Sequence, residues 1–521
     1  MLVCCEKKTD VLVIGGGAAG MMASVQAART GCDVMMITEG ACASNAILGF
    51  NALVSDMDSH ERFYEDIMRG GCDLSDSDLV SVFVDGTSQA VTELEGLGLK
   101  FDRNPDGSYH LLQPLGCSVP RLVHCGNKTG KFSLDIMSAE LDKLGVTVWE
   151  HVTACGLRRS GGRVVGAWAY HSIEKKPWCI RAKAVVIATG GGHMLKGSTY
   201  PIFQTGDGYA MGYRAGAKLR DMEFFQHEPC RAIWPKPLGI STTLLAKGGK
   251  LTNAREERFV LKTHPNEGVA SKDELARLIG IELKEGRGTI HGGVWLDLTD
   301  LPEEEIRINH AMYDRRFRDV GLDLCKDRVE VAPAAHSIMG GIRVDPDCST
   351  DVRGLFAAGE AMGGLHGANR LGGNAGAEVY VFGSIAGKSA ARFAKKISDW
   401  DEEKPLLEWN VDESAVETTA YSEVITTARA VLSQAMGPIR DGKSLKDAAY
   451  QLSEMEQNLH PEQAMRLEDR ITCFKAQNLL LVGRLMVEAA GQRTESRGVH
   501  TRLDYPARDD LHWKKSIIVS G

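Results

Sequence analysis

Thirteen cysteines are spread along this chain without a single C-x-x-C pair. That absence removes the short ligand spacing of a zinc site and the usual run that ligates an iron-sulfur cluster, so no metal site is expected, and any cluster that exchanges electrons with the chain must sit on another one. Scattered and odd in number, the cysteines fit buried, reduced thiols in a reducing compartment. Lysine and arginine form no cluster. With a net charge of −8 and a pI near 6.0 the chain offers no basic face, which argues against a nucleic-acid partner. No run approaches about 18 uninterrupted apolar residues, and Met1-Leu2-Val3-Cys4-Cys5-Glu6-Lys7-Lys8 lacks the ordered charged and apolar regions of a signal peptide. The expectation is a cytoplasmic protein with no direct membrane span, either free or attached to a redox complex. Internal repeats and low-complexity linkers are missing too, which excludes solenoid arrays. At 521 residues there is ample chain for two or three domains around a large core.

What is present begins with Asp10-Val11-Leu12-Val13-Ile14, a buried strand that runs into Gly15-Gly16-Gly17-Ala18-Ala19-Gly20. The residues through Ala28 read as a helix and Val34 to Ile37 as a second strand, a βαβ unit of about the 30 residues that a dinucleotide fingerprint needs. In that fingerprint Gly15 makes the turn, Gly17 admits a pyrophosphate, and Gly20 lets helix and strand pack. The acid expected on the ribose is displaced: Thr38 ends the second strand and Glu39 stands beside it. Two later segments repeat the strand-into-glycine pattern, Ala184-Val185-Val186-Ile187-Ala188-Thr189-Gly190 and Gly354-Leu355-Phe356-Ala357-Ala358-Gly359-Glu360. One fingerprint with two such returns resembles the two-part FAD domain of flavoprotein reductases.

Chemistry is concentrated further on. His336-Ser337-Ile338-Met339-Gly340-Gly341-Ile342 is followed by Gly367-Ala368-Asn369-Arg370-Leu371-Gly372-Gly373-Asn374. Arg370 offers a planar fork that matches a carboxylate bidentately, and His336 can add a hydrogen bond or a charge. The flanking glycines let backbone approach a flat ligand. An organic acid held against a cofactor is the natural reading.

These motifs, with Thr205-Gly206-Asp207-Gly208, Asp221-Met222-Glu223-Phe224, Phe259 after Glu256-Glu257-Arg258, Leu296-Asp297-Leu298 and Glu495-Ser496-Arg497-Gly498, occur in the order found in one family. The chain resembles the flavoprotein subunits of fumarate reductases and succinate dehydrogenases, a family that also contains the L-aspartate oxidases. The resemblance implies an α/β fold. A Rossmann-like FAD-binding domain would be built from residues 1–235 and 330–400, an inserted α+β capping domain from 236–329, and a C-terminal helical domain and tail from 412–521. The insert carries the polar helical stretch Lys272 to Gly286, and Ile471 to Ala490 has helical spacing. Cofactor contacts implied are Gly15, Gly17, Ala18, Ala19, Gly20, Thr38, Glu39, Ser44, Asn45, Ala188, Thr189, Gly190, Asp207, Glu360, Arg370 and Asn374. His336 and Arg370 match the substrate clamp. A small carboxylic acid is the implied substrate, and an iron-sulfur or other redox protein the implied partner.

The chain departs from the family pattern in several places. The proton donor, an arginine in Ser-Arg-Asp, is Lys272 in Ser271-Lys272-Asp273. A lysine ammonium releases a proton more readily than a guanidinium, but without the planar fork. The family's Met-Glu-Phe-x-Gln-x-His-Pro-Thr reads Met222-Glu223-Phe224-Phe225-Gln226-His227-Glu228-Pro229-Cys230, so Glu228 and Cys230 replace the second carboxylate grip and His227 falls one position early. A glutamate there should repel the far end of a dicarboxylate and favour a monocarboxylate, or a distal group that is neutral or cationic. Lys247 takes the place of the relay acid. The loop Cys42-Ala43-Ser44-Asn45-Ala46-Ile47 has none of the Ser-His-Thr context that carries covalent flavin, and no histidine precedes His60, so FAD is expected to be non-covalent.

Catalysis is accordingly expected from Lys272, His336 and Arg370, with His227 and Glu228 joining His336 and Arg370 around the substrate. Two other function classes stay open: an L-aspartate oxidase, and an electron-transfer flavin protein with no organic acid of its own. Against the oxidase, the family's Glu-Gly-Gly-His-Ser is Pro114-Leu115-Gly116-Cys117-Ser118, without the acid. Arg493, Glu495, Ser496 and Arg497 read as an ion-pair network that fixes the C-terminal tail. The chain ends at Gly521, earlier than longer family members, which implies a different partner surface.

Overall fold

The computed structural model describes residues 4–114, 116–398, 400 and 418–521. The Met1-Leu2-Val3 opening, Leu115 and the expected start of the C-terminal region at 412 lie outside the described residues. Strand Cys5–Ile14 runs parallel to Val34–Ile37 on one side and to the long strand Lys176–Ile187 on the other. That long strand is shared. Its first half pairs antiparallel with Arg163–His171, and its end, Val185 to Ile187, pairs parallel with Leu355–Ala357. Both glycine returns seen in the sequence therefore enter the same seven-stranded sheet as the fingerprint strand. Near-continuous apolar runs suit strands covered on both faces: Val11, Leu12, Val13, Ala184, Val185, Val186 and Ile187 are all fully buried. Helices Ala18–Ala28 and Asn374–Lys395 pack against each other beside this sheet.

The second sheet is antiparallel, ordered Leu238–Gly239, Phe225–Ala232, Val329–Ile338, Val294–Asp297, Lys250–Thr252. It draws in segments on either side of the 236–329 stretch, so the cap is anchored by the two strands that carry Glu228 and His336. Helix Lys272–Lys284 packs across them. Its start is fixed by a capping box in which Ser271 and Glu274 satisfy each other's backbone N–H, which puts Lys272 at the first helical position.

Three helices, Ala420–Ala435, Gly442–Gln457 and Leu467–Gln492, pack together as a bundle, and the last of them leans on helix Asp207–Arg214. The tail then returns: Ile518–Val519 pairs antiparallel with Leu219–Arg220. It is held by Arg493, which is fully buried. Its Nε donates to Glu223 Oε1 at 2.7 Å, Nη1 to Glu495 Oε1 and the Trp513 carbonyl at 2.9 Å, and Nη2 to the Lys515 carbonyl at 2.9 Å. Arg497 adds Glu495 and Asp510 at 2.7 Å and the Cys72 carbonyl at 2.9 Å. Removing one side of such a fully desolvated network strands the other, so Arg493→Ala should lower unfolding free energy by about 3–5 kcal/mol. Urea denaturation checks this, and a loss under about 1 kcal/mol would mean the network is dispensable. Among the described residues no helix is long and apolar enough to cross a membrane.

Candidate functional site

The glycine loop is pressed into the tip of the parallel sheet. Gly15 has φ +119°, and a Cβ there would lie 2.2 Å from the Ala188 carbonyl oxygen; one on Gly20 would lie 1.9 Å from that of Gly15. No side chain can stand at either position. Gly17 precedes helix Ala18–Ala28, whose first turn has neither a side-chain cap nor an acid. Ser44 comes across from the turn Ala43–Ala46, and its Oγ accepts the Ala18 N–H at 3.0 Å, while Asn45 on the same turn is exposed. Ala188, Thr189 and Gly190 lie against this loop, and a Cβ on Gly190 would meet only open space. Helix Asn374–Lys395 likewise starts uncapped, with Asn374 accepting from Asn51 Nδ2 at 2.7 Å. Two helix starts without a capping side chain on their own N-cap residue, and an open cradle, fit the pyrophosphate of FAD and the negative charge its ring takes up on reduction.

The remaining cofactor candidates fall around this core. Thr38 is tied by its N–H to the Trp149 carbonyl at 2.9 Å, and Glu39 is ion-paired with Lys475 of the C-terminal bundle. Asp207 accepts from Thr205 Oγ1 at 2.7 Å and Asn478 Nδ2 at 2.6 Å. Glu360 is the hinge between cofactor and substrate sides. It accepts from the Ile338 N–H at 2.9 Å, Ser337 Oγ at 3.1 Å, the Gly191 N–H at 3.2 Å and the Tyr200 hydroxyl, and burial pushes its carboxyl up.

On the substrate side the structure brings Lys272, Glu228, His336 and Arg370 together. Gln226 brackets Arg370: its Oε1 accepts from Arg370 Nη2 at 2.9 Å, and its Nε2 donates to the Arg370 carbonyl at 3.0 Å and to Asn369 Oδ1 at 2.8 Å. Arg370 Nε is buried without a partner, a donor left over for a ligand. His336 occupies a register shift: Gln226 faces Ser337 and His227 faces Ala335, so His336 is the extra residue of a bulge, a device that re-aims a side chain. Thr199 Oγ1 lies 3.0 Å from its Nδ1, which leaves Nε2 for a ligand. Lys272 Nζ donates to Glu228 Oε2 at 2.6 Å, so the charge that was expected to repel a distal carboxylate is already compensated. His227 goes elsewhere. It is buried and lines a small cleft with Asp273, Arg277, Pro438 and Val499. Lys247 is exposed just after the short helix Thr243–Ala246.

Burial pushes His336 down to about 4 and His227 down to about 3, so both are neutral in the folded protein above pH 5. In the unfolded chain a histidine takes up its proton near 6.5. Between about 6.5 and 4 the unfolded state therefore binds more protons, and stability rises with pH through that window and is lost as pH falls. Denaturation midpoints measured from pH 7 to 4.5 should fall, and fall less steeply in His336→Asn; an identical slope would show that His336 is not held neutral by the fold.

Several site groups were not singled out from the sequence. Gln226 sits two residues before Glu228, and period two on a strand was signal enough to place both on one face. Thr199, Tyr200, Asn51, Lys475 and Asn478 had no such signal, because each meets its partner only through the tertiary fold.

Sequence-family models match along most of the chain, an FAD binding domain over residues 10–375 and a fumarate reductase flavoprotein C-terminal region over residues 426–520. One of the subunits of the CoM/CoB fumarate reductase of Methanothermobacter marburgensis is 32% identical over 98% of this chain and 97% of its own length. The L-aspartate oxidase of Yersinia pestis is 31% identical over 96% of this chain and 97% of its own. Among solved structures, a mutant E. coli quinol fumarate reductase FrdA superposes with a TM-score of 0.90 at 27% identity, covering 99% of this chain and 95% of that one. With the glycine cradle, the cap strands and the helical C-terminal region all accounted for, the chain belongs to the fumarate reductase and succinate dehydrogenase flavoprotein family and is an FAD-dependent oxidoreductase.

Proposed function

We propose that the chain reduces the C=C of a carboxylate-conjugated enoic acid, fumarate being the first candidate, and that it works as the flavin subunit of a larger redox assembly. The observation that carries this reading is the preset guanidinium of Arg370, fixed at both ends by Gln226 and left with a buried, unpartnered Nε beside His336. FAD, when bound, would supply the hydride for the carbon β to the gripped carboxylate. Arg370 and neutral His336 grip and polarise that carboxylate. Lys272 Nζ holds the proton for the adjacent carbon, and Glu228, 2.6 Å away, keeps the ammonium in place and passes it the next proton. Among the cofactor contacts, Gly17, Ala18 and Ser44 would hold the pyrophosphate, Glu39 the ribose, and Glu360 and Asn374 the flavin side. FAD held this way is non-covalent, since the turn that presents Ser44 and Asn45 carries no histidine. Electrons would come from an iron-sulfur or other redox partner.

An L-aspartate oxidase is the second reading, favoured by similarity to the Yersinia pestis enzyme. The missing acid in the 114–118 segment speaks against it. Chemically reducing the purified protein without oxygen and adding fumarate tests the first reading: rapid return of oxidised flavin absorbance is expected. If no enoic acid reoxidises the flavin, the reductase assignment fails.

A further inference from the structure

His336 is neutral in the folded protein, and a neutral imidazole carries its proton on one nitrogen only. Which nitrogen decides whether the ring helps or hinders. A protonated Nε2 donates to a carboxylate, whereas a bare Nε2 turns a lone pair toward it. The choice is made at the opposite nitrogen, where Thr199 Oγ1 lies 3.0 Å from Nδ1. A hydroxyl can donate or accept there, and its surroundings settle the direction. Its alternative acceptor is the Ala335 carbonyl, at 3.4 Å. That oxygen already takes the Thr199 N–H at 2.9 Å and the Ser198 hydroxyl at 3.1 Å, so both its lone pairs are in use. The Thr199 proton is therefore free for Nδ1, which leaves the ring proton on Nε2.

Thr199 is presented by a closed loop. The His193 N–H donates to the Gln204 carbonyl at 3.0 Å and closes its base, and His193 Nδ1 lies 2.9 Å from the Tyr200 carbonyl inside it. From the helical bundle, Arg429 Nε donates to the His193 carbonyl and Nη2 to the Ile202 carbonyl, both at 2.7 Å, and Ser433 Oγ accepts the Lys196 N–H at 2.8 Å. Next to Thr199, the Tyr200 hydroxyl accepts the Ile338 N–H at 3.1 Å and donates to Glu360. The loop thus grips strand Val329–Ile338 on both sides of His336, at Ala335 and at Ile338. A threonine fixed to the backbone in this way cannot follow the ring if it turns, so the contact at Nδ1 holds the ring plane as well as the tautomer.

We propose that Thr199 is a positioning residue for the substrate grip: its hydroxyl donates to His336 Nδ1, keeps the ring proton on Nε2 and aims that donor at the carboxylate held by Arg370. The inference rests on the carboxylate grip of the function proposed above and adds to it a group that acts through His336 alone.

Two substitutions separate this role from packing. Thr199→Val keeps the shape and removes the hydroxyl, and Thr199→Ser keeps the hydroxyl and loses a methyl. Isothermal titration of the oxidised, flavin-loaded protein with fumarate reads the grip without turnover. Thr199→Val should weaken fumarate about tenfold, the scale of a hydrogen bond to a charged group, and Thr199→Ser should stay within about twofold of the parent. In the His336→Asn background Thr199→Val should add no further weakening, because the hydroxyl works only through the ring. In protein carrying nitrogen-labelled histidine, the ring signals that His336→Asn removes should report a protonated Nε2 and a bare Nδ1 in the parent, and a mixture of tautomers in Thr199→Val. Equal binding in the parent and Thr199→Val, weaker binding in Thr199→Ser than in Thr199→Val, a further loss in the His336→Asn background, or a ring proton on Nδ1 overturns the inference. Fumarate that binds in the expected pattern yet never reoxidises the reduced flavin sinks the reductase reading and leaves the inference standing. A parent protein that binds no fumarate overturns both.

Discussion

Arg370→Ala should retain FAD and lose turnover, with kcat/KM for the enoic acid falling by about 10²–10³-fold or more, the scale seen when a preorganised donor is removed from developing negative charge. Its scaffold explains why the loss should be local. Gln226 Nε2 holds the Arg370 carbonyl and the Asn369 side chain, so the backbone of the loop stays in place when the guanidinium is cut away. The cofactor cradle is built mainly from other segments, the glycine loop and the start of helix Asn374–Lys395. Arg370→Lys should not restore the rate, because an ammonium lacks the planar fork that meets a carboxylate bidentately. Flavin absorbance and steady-state kinetics on the same preparation check both halves. Retained turnover with full flavin content would remove Arg370 from the mechanism.

The second large effect is expected at Lys272. Lys272→Ala removes the proposed proton donor, for which about 10²–10⁴-fold is the usual scale. It also strands Glu228, whose carboxylate loses its 2.6 Å partner beside the substrate. Two losses are therefore mixed in one variant: kcat falls for want of a proton, and KM rises from repulsion. The double variant Lys272→Ala/Glu228→Gln separates them. KM should recover while kcat stays low, and Lys272→Arg should keep part of the rate. A Lys272→Ala protein with unchanged kcat would end the assignment, and a double variant that recovers kcat would make Glu228 an electrostatic obstacle with no part in proton supply.

Much of the flavin domain was legible because its signals are local. Asp10 to Gly20 carries strand, turn and helix start in a dozen residues, and the returns at Ala184 and Gly354 repeat the pattern. Lys272 at a helix start could be read from Ser271 and Glu274 three residues apart. The pocket's charge balance was not legible. Glu228 looked like an unpaired acid because its partner Lys272 is 44 residues away in sequence. His227 looked like a displaced ligand, and the register shift at His336 decides which cleft it lines. The tail charges were visible as a cluster, but Glu223, the acid that Arg493 reaches, belongs to a segment on the far side of the cap.

Strand Ile518–Val519 joins Leu219–Arg220 across roughly three hundred residues of sequence. A growing chain emerges from the ribosome in order, so the flavin domain must wait with that sheet edge unpaired while the cap and the helical bundle are made. Closing so long a loop comes late in folding. Until it closes, Arg493 cannot collect the carbonyls of Trp513 and Lys515, and Glu223 has its arginine only in part. A nascent or truncated chain lacking this strand should be a better chaperone client and protease substrate than the finished protein, with the weakness concentrated next to the segment that carries Gln226 and Glu228.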